Sequence, residues 1–175
     1  MRIMFISDIH GIRTNLDIIK KYDFDTLVIL GDLYHNGFPH EDHEIDNASV
    51  KDFIMKNKEK IVCLKGNCDH SYDYVDLGLP VNDDYIKIVD KNITMYCSHG
   101  HKYNYRNFSF LDTKGVVIYG HEHVPYIEKV DGTIYICVGS ISRPREGSKA
   151  SFCRYESGEF TLYSVEGQII NSITI

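Results

Sequence analysis

Two kinds of hydrophobic pattern divide the chain. In its first half, short and nearly unbroken apolar runs alternate with amphipathic stretches. Residues 2–7, 26–30 and 60–64 are such runs, and they predict strands buried on both faces. Between the first two, Asn15 is placed to cap a helix through Lys21, with Leu16, Ile18 and Ile19 turned inward. Residues 48–58 predict a second helix with Val50, Phe53 and Ile54 along one side. The polar, acidic stretch 41–46 reads as a surface loop. The second half is a series of strands broken by turn residues. Hairpins are predicted where 85–89 and 93–97 flank Asp90-Lys91-Asn92, where 124–130 and 133–138 flank Asp131-Gly132, and where 151–156 and 159–165 flank Ser157-Gly158. Residues 115–119 form a further apolar strand, and 169–175 alternate as a terminal strand would. Helices alternating with buried strands, followed by hairpins, suggest two sheets packed face to face with helices outside.

Length and charge narrow this picture. A chain of 175 residues buries roughly 70% of its unfolded surface, enough for one generous core, so a single domain over 1–175 is expected. No apolar run approaches the length of about 20 that a membrane span needs. The N-terminus reads as a strand and has no signal-peptide h-region, so a cytoplasmic location is expected. The balance of 25 acidic against 19 basic residues gives −6, which disfavours bulk binding to nucleic acid. Five cysteines without CxxC spacing read as reduced thiols. Cys63, Cys97, Cys137 and Cys153 fall in apolar strand patterns and are expected in the core, while His35, His40, His43 and His70 are expected at the surface.

The chemistry is concentrated at strand ends. Asp8-Ile9-His10, Gly31-Asp32, Gly66-Asn67-Cys68-Asp69, Ser98-His99-Gly100-His101 and Gly120-His121-Glu122-His123 each follow a predicted strand. Strand ends are where sheet folds present side chains to a crevice. In an extended segment, residues i and i+2 project to one face, so Asp8 with His10, and His121 with His123, are each expected to reach one shared point. Among the donors of these motifs are two carboxylates, an amide oxygen and four imidazoles on separate loops that could converge. Such nitrogen and oxygen donors suit Mn, Fe, Co, Ni or Zn better than Ca or Mg. Seven donors exceed the four of a structural zinc site and suit two ions sharing one carboxylate. Paired ions of this kind can activate a bridging hydroxide and clamp a phosphoryl group.

The ordered series DxH, GD, GNxD, HGH, GHxH resembles the calcineurin-like metallophosphoesterase superfamily. The GNCD form, the short length and the tail Val138-Gly139-Ser140-Ile141-Ser142-Arg143-Pro144 are similar to its small bacterial and archaeal branch of YfcE-type phosphodiesterases. The resemblance implies a four-layer αββα sandwich, two mixed β-sheets flanked by helices. It implies that Asp8, His10 and His123 hold one metal, that Asn67, His99 and His121 hold a second, and that Asp32 bridges them. Asp32 and Asn67 are then catalytic, and Asn67, Cys68 and His101 contact substrate. The expected cofactors are two divalent ions, Mn²⁺ first, with Zn²⁺, Fe²⁺, Co²⁺ or Ni²⁺ as alternatives. The expected reaction is hydrolysis of a small phosphodiester by attack of a hydroxide bridging the ions. Two divalent ions against Asp8, Asp32 and hydroxide leave a net charge of about +1, which complements the single charge of a diester.

Departures from the wider superfamily sharpen the expectation. Many members have His where Cys68 stands, and a thiol is a poorer proton donor, so substrates with good leaving groups are favoured. Glu122 replaces a small polar residue and is expected to point away from the metals. Cys137-Val138-Gly139-Ser140 replaces Asn-Pro-Gly-Ser, and Tyr34-His35-Asn36-Gly37 sets its histidine one place early. Asp69 is expected to fix the loop as a hydrogen-bond partner. The alternatives are a phosphomonoesterase or nucleotidase, a nuclease, and a non-catalytic scaffold on the same fold. Intact ligands argue against a scaffold, and the short chain and acidic balance against a nuclease. Exposed terminal strands and tyrosines are compatible with a homo-oligomer.

Overall fold

The structure, a computed structural model, describes residues 1–36, 44–80, 82–107 and 115–175. His40, His43 and the first half of the acidic stretch 41–46 lie outside the described residues. Among the described residues, eleven strands form two mixed sheets. The first runs β11(Ile169–Thr174)-β10(Glu159–Ser164)-β9(Ser151–Glu156)-β1(Arg2–Ile6)-β2(Thr26–Ile29)-β3(Ile61–Cys63). The second runs β4(Tyr85–Asp90)-β5(Ile93–Ser98)-β6(Val116–Tyr119)-β8(Thr133–Val138)-β7(Pro125–Val130). β1, β2 and β3 are parallel in the first sheet, as are β5, β6 and β8 in the second. The three predicted hairpins all form, as β4–β5, β7–β8 and β9–β10.

The unbroken apolar runs are explained by layering. In β1, Ile3 and Phe5 face the second sheet and pack with Val28, Met95, Ile118 and Phe160. Met4 and Ile6, on the opposite face, pack with helix residues. A strand with protein on both sides has no solvent face to alternate with. Besides a 3-10 turn at Lys58–Lys60 that buries no residue, the helices among the described residues pack on the first sheet. They are a 3-10 helix Thr14–Lys21 burying Leu16 and Ile19, α1 (Asn47–Asn57) burying Val50, Phe53 and Ile54, and α2 (Ser71–Leu77) burying Tyr74 and Leu77. The outer face of the second sheet instead carries Tyr96, Val117, Tyr119 and Cys137, covered by Tyr103, Tyr126 and Tyr135. The two mixed, packed sheets of the implied αββα sandwich are present, with the helices among the described residues lying against the first sheet.

Three local readings are corrected. Asn15 does not cap the first helix. That helix is 3-10 and starts at Thr14, and the Asn15 amide donates instead to the Ile141 carbonyl at 2.7 Å. The second helix starts at Asn47, one residue earlier than predicted, because the Asp46 carboxylate accepts from Ser49 N at 2.9 Å. α2 goes unpredicted, because seven residues are too few to show a helical period. Its cap is unusual too. Asp73 N donates to the His70 carbonyl at 3.0 Å, and the Asp73 carboxylate accepts from His70 N at 2.8 Å.

Candidate metal centre

The five motifs leave the carboxyl ends of β1, β2, β3, β5 and β6. The two sheets therefore deliver them to one edge of the sandwich. How they turn there is decided by the backbone. Asp8, His10, Asp32, His121 and His123 all have φ between +47° and +65°. Non-glycine residues avoid this region, and its concentration at one place marks a site where geometry is held against local preference. The extended geometry expected for these pairs is thus corrected. Asp8 and His10 still converge, with His10 Nε2 3.9 Å from Asp8 Oδ1. His121 and His123 diverge. His123 Nε2 reaches Asp8 Oδ1 at 3.1 Å, while the His121 ring lies beside His99 with centroids 5.1 Å apart.

Asp32 stands between the two groups. Its Oδ2 is 3.6 Å from His10 Nε2 and its Oδ1 is 3.6 Å from His99 Nε2. Its Oδ1 also accepts from Cys68 N at 2.9 Å, which ties the β3 loop to the β2 loop. Asn67 Oδ1 lies 2.9 Å from His99 Nε2. His10 and His123 approach at 3.4 Å between their Nε2 atoms. Asp8, His10 and His123 form one compact donor group, and Asp8, Asp32 and His99 another.

These contacts favour a cation. His99 Nδ1 lies 2.7 Å from the Leu30 carbonyl, and His123 Nδ1 2.5 Å from that of Arg143. A carbonyl only accepts, so each Nδ1 carries a proton and each Nε2 faces inward. There the two nitrogens meet Asp32, Asn67 and Asp8 oxygens. Asp8 Oδ1 is buried and accepts no hydrogen bond. A positive ion among these nitrogens and oxygens would satisfy them together. Burial acts against charge on Asp8, yet His123 and His99 beside it hold its carboxyl below the usual range. Burial lowers His10 and His121. Burial also acts against charge on His123, but Asp8 outweighs it and raises that group, so a proton and a metal compete for its Nε2.

A surrounding shell fixes the donors. Asp69 is buried and accepts from Asp32 N, Leu33 N, Gly66 N and the Tyr74 hydroxyl, all within 2.9 Å. This bears out its reading as a loop-fixing partner. Asp8 Oδ2 accepts from His121 N, and the Asp8 carbonyl accepts from the Ser140 and Ser142 hydroxyls. The two serines were quoted in the sequence only as part of the tail motif. Glycine is required at two positions by close approach. A Cβ on Gly66 would lie 2.0 Å from Asp32 Oδ1, and one on Gly120 would lie 1.9 Å from Ser7 Oγ.

Of the expected substrate contacts, Cys68 is exposed rather than buried behind Asn67. It lines a cleft of about 710 Å³ that also touches His10 and His123. Burial and the neighbouring Asp32 push its thiol up to about 12, so it stays protonated near neutral pH. His101 sits against His99 and His121, with centroids 5.3 and 6.1 Å away. Burial and those two rings lower it to about 4. Glu122 lines a second cleft, of about 530 Å³, with His121. The same large cleft takes in His35, His70, Arg143 and Arg145. The two histidines are expected at the surface from the sequence, where Arg143 belongs to the tail motif and Arg145 carries no signal. Cys63, Cys97, Cys137 and Cys153 are buried, as expected.

This sandwich, with donors gathered at the strand ends, defines a metallophosphoesterase. Residues 1–159 match the model of the calcineurin-like phosphoesterase superfamily domain, and the chain belongs to that superfamily. Among named proteins, it is 27% identical over 175 residues to phosphodiesterase YfcE of Escherichia coli (strain K12), covering 97% of this chain and 95% of that one. A solved structure of the E. coli phosphoesterase Yfce superposes with a TM-score of 0.91 at 27% identity over 100% of both chains. Wild-type Vps29 from Entamoeba histolytica, solved with Zn²⁺, superposes at 0.67 with 18% identity over 99% of each chain, a likeness of fold alone. The family's chemistry is phosphoester hydrolysis with divalent metals.

Proposed function

We propose that this chain, acting as one domain over 1–175, is a phosphodiesterase that uses two divalent metals, Mn²⁺ foremost. Asp8, His10, Asp32 and His123 would hold one ion, and Asp32, Asn67, His99 and His121 the other. Bound there, such ions supply Lewis-acid activation of water and neutralise charge on a phosphoryl group. The observation that carries this reading is the convergence of the His99 and His123 Nε2 atoms on Asp32, Asn67 and Asp8 oxygens, with each Nδ1 held by a backbone carbonyl. The chain's own residues then have defined tasks. Asp32 sets the spacing of the two donor groups, with one oxygen toward each. The Asn67 side chain presents its amide beside His99 and orients the substrate phosphoryl group. Cys68 and His101 contact the substrate. A thiol held near pKa 12 supplies a leaving group with little help, so esters of acidic alcohols are the better substrates.

A phosphodiesterase among similar proteins supports the diester over the monoester. The complete donor set supports catalysis over a scaffold role. The deciding experiment compares bis-p-nitrophenyl phosphate with p-nitrophenyl phosphate on metal-stripped protein, with and without added Mn²⁺. Metal-dependent turnover favouring the diester is expected. A preference for the monoester makes the protein a phosphatase, and two bound metals without turnover make it a scaffold.

A further inference from the structure

The two clefts flanking the metal centre differ in charge. The larger, on the side of His10 and His123, has Arg143 and Arg145 and no carboxylate among the described residues that line it. The smaller, on the side of His121, has Glu122 and Glu146 against Arg106 alone. In a chain with a net charge of −6, cations gathered at one side of an active site are a specific feature.

The larger cleft is also rigid. Arg143 N donates to Ser140 Oγ at 2.7 Å, and its carbonyl is the partner of His123 Nδ1. Arg145 N donates to the His123 carbonyl, as does the Ser148 hydroxyl, and Ser148 N closes a turn onto the Arg145 carbonyl at 2.9 Å. The arginine strap is therefore fastened to the His123 loop. The opposite wall is fixed by Asn36, whose amide donates to the Cys68 carbonyl and to Asp73, which in turn locks His70 as a helix cap. A fixed wall loses little entropy when it pairs with a ligand.

Building on the phosphodiesterase reading, we propose that the natural substrate is an unsymmetrical phosphodiester. One of its arms ends in an anionic group, which lies in the larger cleft against Arg145, with Arg143 beside it. The acidic residues of the smaller cleft repel that group, so the diester binds in one orientation. A guanidinium pairs with carboxylate or phosphate through charge-assisted hydrogen bonds, and Arg145 is exposed at the cleft wall.

Binding of non-hydrolysable analogues tests this without turnover. Methyl methylphosphonate and 2-carboxyethyl methylphosphonate are titrated calorimetrically into Mn²⁺-loaded protein. The carboxylate analogue is expected to bind about tenfold tighter, the effect of one charge-assisted contact. The gap should close in Arg145→Gln and persist in Lys87→Gln, which removes an equal charge from distant β4. In the unaltered protein the gap should shrink as salt is raised, a readout that does not depend on any variant folding. Equal affinities for the two analogues, or a gap that survives Arg145→Gln, overturn the proposal. A protein that hydrolyses bis-p-nitrophenyl phosphate yet shows no gap loses only this inference. A gap without turnover keeps the anionic subsite and removes the hydrolase reading.

Discussion

Most of the candidate ligands occupy left-handed backbone, a region uncommon outside glycine though Asp and His tolerate it better than most residues. Five of the seven sit at φ near +50° to +65°, and such placements cost of order 1–3 kcal/mol each. The surrounding shell offsets that cost through Asp69, Ser140 and Ser142. Asp69→Ala leaves three loop amides, Asp32 N, Leu33 N and Gly66 N, without their acceptor. It should lower unfolding stability by roughly 3 kcal/mol, read from urea denaturation, and unchanged stability would mean the loops do not depend on it. Gly66→Ala drives a methyl group into Asp32 Oδ1. It should weaken Mn²⁺ binding about 10–100-fold with the fold retained, as seen by calorimetric titration beside circular dichroism. Undiminished affinity would show that Asp32 is not a ligand.

At the scale of elements, strand placement follows from pattern and helix detail follows from caps. The hairpins are legible because Asp131-Gly132 and Ser157-Gly158 adopt the positive φ that such turns demand. The 3-10 form of Thr14–Lys21 is not legible, since Leu16 and Ile19 fit either helix at a spacing of three. α2 hides for a related reason: its capping residue is His70, outside the usual capping types. The cap of α1 is conventional, and Asp46→Ala should cost about 1 kcal/mol in thermal or denaturant unfolding. A loss within error would mean that packing of Val50, Phe53 and Ile54 alone sets where α1 begins.

For the whole molecule, the candidate metal centre spans the two sheets, because Asp8, His10, Asp32 and Asn67 come from the first and His99, His121 and His123 from the second. Bound ions would therefore stabilise the sandwich itself. Mn²⁺ at a hundred times its Kd should add about 2.7 kcal/mol, so EDTA should lower the melting temperature and added Mn²⁺ restore it. Identical melting curves would contradict metal binding at this edge. The sheets are also joined away from the site, where the Tyr155 hydroxyl donates to Asp90 at 2.7 Å. Tyr155→Phe should cost about 1 kcal/mol without changing Mn²⁺ affinity, and a parallel loss of affinity would tie the site to that distant contact.

The sequence by itself determined the strands, the hairpins, the core cysteines and the five motifs. Each depends on local pattern: apolar runs, turn residues, and donor types in a fixed order. Only the tertiary structure decided how the donors meet. The separation of His121 from His123 depends on left-handed backbone held by distant partners, such as Asp8 accepting from His121 N across 113 residues. The arginine strap became legible only when Ser140 and His123 were seen to fasten it beside the metal centre. Hydrophobic period encodes which face of an element is buried. It carries no record of which loop ends share an edge, because that is set by the packing of one sheet on the other.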